Sequence, residues 1–471
     1  MNRTALIFAR AALVAASPLL PGWAIGTGGD HDRGGPEHLG PCSRSDFTLT
    51  RFFDTLPVDL STVSGVVPLG TANGTSHILP NSTATVYTPF SFGGADGRQM
   101  LPAVLDAPIR IPGDATVTAL RWEPNSGGEL LAGDDWTVTF RPCREISFTF
   151  HHLNAVTGPP QLIARAAQIR RGIRAWCTHD STGAETSCSG LAQVRVRSGT
   201  IVGTVYRLNQ VSFNFASFDT RPSSAAPAPP LGAAVVPERY ELTYDQLSAA
   251  LTAAGEPIPR ALTPALFAEI DPSRTHARCP LDYFTTANRD ALYAKLGSYD
   301  GSVARTAEPR CGQVFQDSLD GGLAGGWFPE SLAGPFLLAG EDGLAAFLYG
   351  SVEPLRMYFL IGTSVAPALG AGGTSRIVTF AYPGYDPPGG TRNVSFRGAR
   401  YRPELPSQTL YCWDELTTAE MSSGTAFSPT PVPGVMLAQF ASPARLRFEY
   451  SPAGDCATPP AFTSAAGYFL R

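Results

Sequence analysis

The chain contains two neighbouring stretches in which apolar and polar residues alternate, Asp134-Asp-Trp-Thr-Val-Thr-Phe140 and Ser147-Phe-Thr-Phe-His-His-Leu153. A period of two is typical of β-strands with one buried face, and such strands are usually antiparallel. We therefore predict that the two stretches pair as adjacent strands. Because successive side chains of a regular strand point to opposite faces, we expect His151 and His152 not to bind one metal ion unless a bulge interrupts the strand.

The same alternation recurs along most of the chain and predicts a mainly β protein built from antiparallel strands. It is clear at residues 115–122 and 211–215, and it returns in five further pieces of the C-terminal third. Those C-terminal strands are expected to form a β-sandwich or a barrel-like sheet. Two helices are predicted between the β regions, one at 244–254 with Thr243 as its N-cap and one at 280–296.

Length and composition indicate several compact regions. A chain of 471 residues corresponds to about three domains of ~150 residues each. A Pro-, Ala- and Ser-rich segment after the first β region is typical of a linker. The predicted organisation is a signal peptide at 1–24, a lead-in and first strand at 25–60, a first β region at 61–220, the linker at 221–236, a helical and Gly-rich middle segment at 237–331, and a C-terminal β domain at 332–471.

The first 24 residues have the three parts of a secretory signal. Met1-Asn-Arg3 is positively charged, residues 11–20 are apolar, and Gly22-Trp-Ala24 supplies small residues before a cleavage site. No later stretch has the ~20 predominantly apolar residues of a membrane helix. We therefore expect an exported protein, secreted or periplasmic, that is associated with the cell envelope.

The eight cysteines, an even number, fit disulfide formation in an exported protein. No pair has the C-x-x-C spacing of a zinc ribbon or a thioredoxin motif. Eight cysteines allow 105 connectivities, and only the short loop between Cys177 and Cys188 favours one pairing on entropic grounds. Proximity in the sequence suggests the other pairs: Cys279–Cys311, Cys412–Cys456 and, by remainder, Cys42–Cys143.

Charge and motif content exclude several classes of function. The net charge of −5 argues against a protein that binds nucleic acid through a basic face. Lys295 is the single lysine and lies in no phosphate-binding loop, which excludes P-loop and Schiff-base chemistry. Neither a His-Glu-x-x-His nor a Gly-x-Ser-x-Gly sequence occurs.

Further short pieces accompany the two stretches quoted first. Residues 107–117 have the form of a proline-led strand pair with a glycine turn, and Ser198-Gly-Thr-Ile-Val-Gly-Thr-Val205 has the form of a hairpin before a last strand at 211–215. In order and spacing, these pieces resemble the β-core of lysostaphin-type zinc endopeptidases, which cleave peptide cross-links in bacterial walls. The resemblance implies an antiparallel β-core of that type over 61–220.

A second resemblance covers most of the chain after the signal peptide. Pro68-Leu-Gly70, Cys279-Pro-Leu-Asp-Tyr-Phe284 and Tyr411-Cys-Trp-Asp414 are similar to segments of a group of exported bacterial proteins that carry a degenerate version of this core. This resemblance implies an architecture but no activity. The opening motif also includes Asn73, His77, Pro80 and Tyr87.

The resemblance also implies which residues correspond to the zinc site. In the active endopeptidases a His and an Asp lie at the opening motif, and a His-x-His sequence closes the site. Here His77 matches the first ligand and His152 matches the catalytic histidine, whereas the closing positions read Phe213-Asn-Phe215. A catalytic zinc site needs three protein ligands and an open position for water. With His151 or Asn214 as the remaining candidates, the set is incomplete, and we expect no cofactor.

Two functions are therefore considered. The first is an inactive wall-endopeptidase-like domain that serves as a binding or regulatory module, with cell-wall glycan, cell-wall peptide or an envelope protein as its partner. The alternative is a zinc-dependent hydrolase of peptidoglycan or another polymer, with an altered ligand set that includes His77, His151 or His152. The zinc content of the purified protein distinguishes the two.

We predict that the mature protein begins near Ile25, because the tripartite signal ends at Ala24. Mass spectrometry of the exported protein should give an intact mass without the first 24 residues. Retention of Met1 in the exported form would contradict the prediction.

Overall fold

The computed structural model describes most of the chain in separate ranges. These are residues 39–42, 52–71, 81–93, 99–124, 133–179, 185–208, 210–222, 242–253, 255, 257–270, 274–306, 310–314, 325–332, 343–349, 356–362, 375–381, 410–414, 416–420, 428–442 and 444–470. The predicted signal peptide, His77 and the centre of the predicted linker lie outside them.

The first half of the chain forms a nine-stranded antiparallel sheet, as the alternating pattern predicts. A three-stranded sheet, a separate hairpin and the helices accompany it. The strands of this half are β1 Gly65–Val67, β2 Thr83–Tyr87, β3 Phe90–Gly93, β4 Gln99–Pro102, β5 Ala107–Arg110, β6 Ala115–Pro124, β7 Asp134–Cys143, β8 Ile146–Leu153, β9 Ala155–Val156, β10 Trp176–His179, β11 Glu185–Val196, β12 Ile201–Val205, β13 Ser212–Asp219 and β14 Ala277–Arg278. The order in the large sheet is β1-β2-β13-β8-β7-β6-β11-β10, with β14 paired to β13.

Phenylalanine side chains fill the core beneath this sheet. Phe150 of β8 and Phe215 of β13 lie opposite each other in register, and their ring centroids are 4.9 Å apart. Phe148 packs at 4.5 Å on Phe53, and all of these rings are fully buried. Complete burial of a Phe side chain stabilises the fold by about 1.5–3 kcal/mol relative to exposure. The alternating apolar residues therefore fix which face of the sheet points inward.

Four helices lie within the described residues. Thr243 caps the second helix as predicted, because its hydroxyl accepts from the backbone N–H of Gln246 while the Gln246 side chain accepts from the N–H of Thr243. The helices are α1 Pro160–Arg170, α2 Tyr244–Ala253, α3 Pro264–Ile270 and α4 Thr286–Tyr293.

The single helix predicted at 280–296 is wrong in its extent. The chain forms a 3-10 turn at Pro280–Tyr283 and then α4. Between them, Phe284 forms a bridge with Phe53, and the N–H of Thr285 donates to the Phe53 carbonyl at 2.8 Å. Pairing with a distant segment therefore replaces the helical hydrogen bonds at this point.

The C-terminal half forms a ten-stranded antiparallel sheet that curls into a half-barrel. Its strand order is β19-β22-β23-β24-β15-β16-β17-β18-β20-β21. Because β15 belongs to this sheet, the sheet begins before residue 332, the position at which the C-terminal β domain was predicted to start. The strands are β15 Gly325–Pro329, β16 Ala345–Tyr349, β17 Arg356–Gly362, β18 Ser375–Ala381, β19 Tyr411–Trp413, β20 Leu416–Glu420, β21 Ser428–Val432, β22 Val435–Ser442, β23 Arg445–Ser451 and β24 Gly467–Leu470.

The eight cysteines form four disulfides, and all four pairings suggested by proximity are present: Cys42–Cys143, Cys177–Cys188, Cys279–Cys311 and Cys412–Cys456. Cys177 and Cys188 lie directly opposite each other on β10 and β11. Four disulfides fit an oxidising compartment. Within the described residues, no helix combines the length and apolar character needed to cross a bilayer.

We predict that the denatured, unreduced protein exposes fewer than two thiols per chain, since every cysteine is paired. Removing one crosslink by Cys412→Ser with Cys456→Ser should lower the free energy of unfolding by about 2–4 kcal/mol, because the denatured chain gains freedom. Thiol titration in denaturant measures the number of free thiols, and denaturant-induced unfolding measures the change in the free energy of unfolding. Two or more reactive thiols per chain in the wild type would overturn the assignment.

Candidate functional site

His151 and His152 lie in a β-bulge at the end of β8. Trp136 pairs with Leu153 and Val138 pairs with Phe150, so both histidines lie opposite the single residue Thr137. His152 has a φ of 69°, a left-handed conformation that non-glycine residues seldom adopt. The strict alternation of faces expected for a regular strand therefore does not hold at this position. Bulges re-aim side chains and are frequent beside functional sites.

His152 is held by a carboxylate of the neighbouring strand. Its Nδ1 lies 2.8 Å from Oδ2 of Asp135, and 44% of its side-chain surface is accessible. Burial of the remainder disfavours the charged ring, but the hydrogen bond and the charge of Asp135, with a smaller contribution from Glu123, raise the pKa of His152 above its ordinary value. His152 therefore carries a positive charge over a wider pH range than a free histidine.

His151 has the opposite electrostatic character. Although part of its surface is accessible, desolvation lowers the pKa of the ring to about 3, and the positive charges of His152 and Arg121 add to the effect. Its Nδ1 lies 3.2 Å from Oγ1 of Thr137. His151 is therefore a neutral hydrogen-bonding group near pH 7.

A line of polar side chains crosses the sheet at this end. Thr85 of β2 donates its hydroxyl to Oδ1 of Asn214 at 2.9 Å, and Asn214 lies directly opposite His151. Beyond His151 come Thr137 of β7 and then Arg121 of β6, which is opposite Thr137. We call these five side chains the polar row. It places hydroxyl, amide, imidazole and guanidinium groups on five adjacent strands; Thr85 is buried, and the other four residues are partly accessible.

Strained backbone supports the same end of the sheet. Asp106 and Tyr206 have φ values of 51° and 67°, and the N–H of Asp106 donates to the carbonyl of Tyr206. The Asn154 amide donates to Oδ1 of Asp106 and to the Tyr206 carbonyl, each at 3.0 Å, while Gln210 donates to the carbonyl of His152 at 2.9 Å. Three of the five described non-glycine residues with positive φ thus meet around the bulge. Such strain concentrates at functional sites.

Asp134 has a structural role beside this site. The pair Asp134-Asp135 begins β7. Oδ1 of Asp134 accepts from the indole N–H of Trp122 at 2.9 Å, and Oδ2 lies 3.1 Å from the Arg170 guanidinium. Arg207 donates to the main-chain carbonyl of Asp134. These contacts tie α1 and the 206–210 loop to the start of β7.

The positions at which the predicted resemblance would place a closing His-x-His do not face this site. The rings of Phe213 and Phe215 are fully buried in the phenylalanine core, whereas Asn214 between them points to the opposite face and joins the polar row. Phe213 and Phe215 are thus part of the core packing and do not line a cleft.

Metal-ligand candidates are few among the described residues. One group of three His, Cys, Asp or Glu side chains has donor atoms close enough for a single ion, and it consists of Cys42, Cys143 and Glu145. Its two cysteines form a disulfide, so they offer no thiolates. His77 lies outside the described residues, and neither His151 nor His152 belongs to such a group within them.

Comparison with models of known protein families and with curated proteins gives no match to this chain. The resemblance to the lysostaphin-type core therefore stays a prediction from short sequence pieces.

The sequence pointed to His151, His152 and Asn214 but not to their partners. Asp135 lies 17 positions before His152, and Gln210 lies 58 positions after it. The bulge brings these groups together. Its left-handed residue is His152 and not a glycine, so the sequence gives no indication of the bulge. The preceding Gly133, with a φ of 120°, is the one local indication of an irregular entry into β7.

We predict that the two adjacent histidines titrate far apart. Followed by NMR, His152 should lose its proton above the ordinary value of about 6.5, and His151 should stay neutral down to about pH 3. Asp135→Asn should lower the pKa of His152, because it removes the charge that favours the imidazolium. Glu123→Gln is the matched control and should lower that pKa less.

The same shift has a consequence for stability. Because the folded-state pKa of His152 is raised, its stabilising contribution is complete below about pH 6.5 and disappears as the pH rises through the raised value. Titration of both rings near pH 6.5, or no response of His152 to Asp135→Asn, would contradict the assignment.

Proposed function

We propose that this chain is an exported, envelope-associated binding protein whose first β region lacks a catalytic metal centre and binds an envelope polymer along the polar row. One observation carries the proposal: the two positions that would close a zinc site hold Phe213 and Phe215, which are fully buried in the core. Four disulfides support a location outside the cytoplasm.

The described residues supply few donors for a catalytic zinc ion. Zinc in a hydrolytic site takes three N, O or S donors and keeps one position for water. Phenylalanine offers none, and within the described residues neither His151 nor His152 belongs to a group of three His, Cys, Asp or Glu donors close enough for one ion.

The polar row instead has the features of a surface that binds an extended chain. Its groups lie on adjacent strands, about 4.8 Å apart, and each can donate or accept a hydrogen bond. Arg121 pairs with Glu123, so the row carries little net charge. A neutral or weakly charged polymer rich in amides and hydroxyls, such as wall peptide or glycan, fits this arrangement.

We predict that purified peptidoglycan binds to the protein but is not cleaved. With added zinc, wild type should release no new amino termini and should co-sediment with the wall material. Thr137→Val with Asn214→Leu should weaken co-sedimentation about tenfold, because two lost hydrogen bonds of about 0.5–1.5 kcal/mol each amount to that factor. Thr458→Val, an exposed threonine of the second half, is the control and should bind like wild type.

A specific feature favours the alternative, a zinc-dependent hydrolase. In metal sites the second nitrogen of a ligating histidine commonly bonds a carboxylate, as Nδ1 of His152 does with Asp135. One equivalent of tightly bound zinc that is lost on His152→Ala, together with release of amino termini, would establish that alternative. Phe213→His with Phe215→His should destabilise the fold instead of creating a zinc site, because both imidazoles would enter the core.

A further inference from the structure

One side of α1 and of the turn after it combines exposed isoleucines with arginines. The helix buries its opposite side in the core, and Ile163, Ala167 and Arg171 recur every four residues on the outer side. Ile163 and Ile173 are 47% and 45% exposed, although isoleucine is among the residue types most often buried. We call this surface the basic face, and it consists of Ile163, Ala167, Arg171, Ile173 and Arg174.

The turn at the end of the helix is held in one conformation. Gly172 has a φ of 68°, and the N–H of Ile173 donates to the carbonyl of Gln168 at 2.9 Å, which closes the end of the helix. Arg174 also has a positive φ, of 53°, and Nη2 of Arg165 donates to its carbonyl at 2.9 Å. Strained backbone persists only where its surroundings enforce it. The fold therefore presents Ile173 at the tip of an ordered turn, between two arginines.

The basic face carries positive charge on a protein that is acidic overall. Residues 155–179 include four arginines and no aspartate or glutamate, whereas the net charge of the whole chain is −5. Arg170 lies 3.1 Å from a carboxylate oxygen of Asp134 and is thereby paired. Among the described residues, neither Arg171 nor Arg174 has a carboxylate partner. Two unpaired cations thus flank the exposed isoleucine of the turn, and an anionic partner would be attracted to this part of the surface.

The surface of a bilayer with anionic lipids matches both features of the basic face. Its phosphate groups attract arginine, and the acyl region just below them accepts an apolar side chain. A soluble anionic polymer would use the arginines but leave the isoleucines in water, whereas an apolar protein surface would bury the arginines without partners. Ile163 and Ile173 are ten positions apart, roughly 15 Å by the rise of a helix, so a flat surface can contact both.

We propose that the basic face docks the protein on the surface of a membrane that contains anionic lipid. The isoleucines enter the boundary between headgroups and acyl chains, and Arg171 and Arg174 pair with lipid phosphates. Such a contact is peripheral and reversible, because its apolar area is small and its electrostatic part is screened by salt. It goes beyond the polymer-binding function proposed above and does not depend on it, since it uses no residue of the polar row.

The test is co-sedimentation of the full-length mature protein with vesicles of equal parts phosphatidylglycerol and phosphatidylcholine, compared with vesicles of phosphatidylcholine alone. Wild type should bind the anionic vesicles more tightly. Arg171→Gln with Arg174→Gln should weaken that binding about thirtyfold, and Ile173→Ser about tenfold. The matched control is Ile258→Ser with Arg260→Gln, which changes an exposed isoleucine and an exposed arginine between α2 and α3 and should bind like wild type. Unchanged unfolding midpoints show that the variants remain folded.

Wild type alone already tests the class of lipid, because equal binding to the two kinds of vesicle, or binding to neither, shows that the proposal is wrong. If the variants bind anionic vesicles like the control, another surface makes the contact and the basic face is not the docking site. If polyphosphate binds wild type and Ile173→Ser equally well while anionic vesicles bind neither, the basic face recognises a soluble anionic polymer. Co-sedimentation with peptidoglycan should be unchanged in all variants, so failure of the membrane proposal leaves the polar-row proposal standing.

Discussion

The packing of β8 against β13 through their phenylalanines determines which face of the sheet carries the polar row. Because a strand has a period of two, burial of Phe150 and Phe215 on one face forces the residues that alternate with them to the other. Asn214 therefore points away from the core and towards Thr85. A one-residue slip of β13 would bury its amide and expose two phenylalanine rings, and the large loss of apolar burial makes that register inaccessible.

The β-bulge adds a second constraint. It places two histidines of one strand opposite one threonine, and the two rings then meet different surroundings. Asp135 favours the charged form of His152, whereas desolvation keeps His151 neutral. Adjacent residues of identical chemistry consequently have different roles, one as a cation held in an ion pair and one as a hydrogen-bonding link in the polar row.

The sequence was sufficient to predict the strands and helix ends that are determined by neighbouring residues. The alternation in 134–140 and 147–153 predicted β7 and β8, and Thr243 predicted the start of α2. It was not sufficient where contacts with distant residues determine the local structure. The hydrogen bond between Thr285 and Phe53, for example, divides the helix predicted at 280–296. Within the site, His151, His152 and Asn214 were recognisable by residue type. Asp135, Asn154 and Gln210 were not, because only the folded bulge and the 206–210 loop bring them near.

The order of the disulfides has a consequence for how the chain acquires them. Each cysteine pairs with the next cysteine along the chain, and no loop closed by one bridge encloses or overlaps another. Because synthesis proceeds from the amino end, each cysteine is followed by its correct partner before any competing thiol is made. Oxidation in the order of synthesis, by thiol–disulfide exchange with an oxidant, then gives the native set of bridges without a reshuffling step.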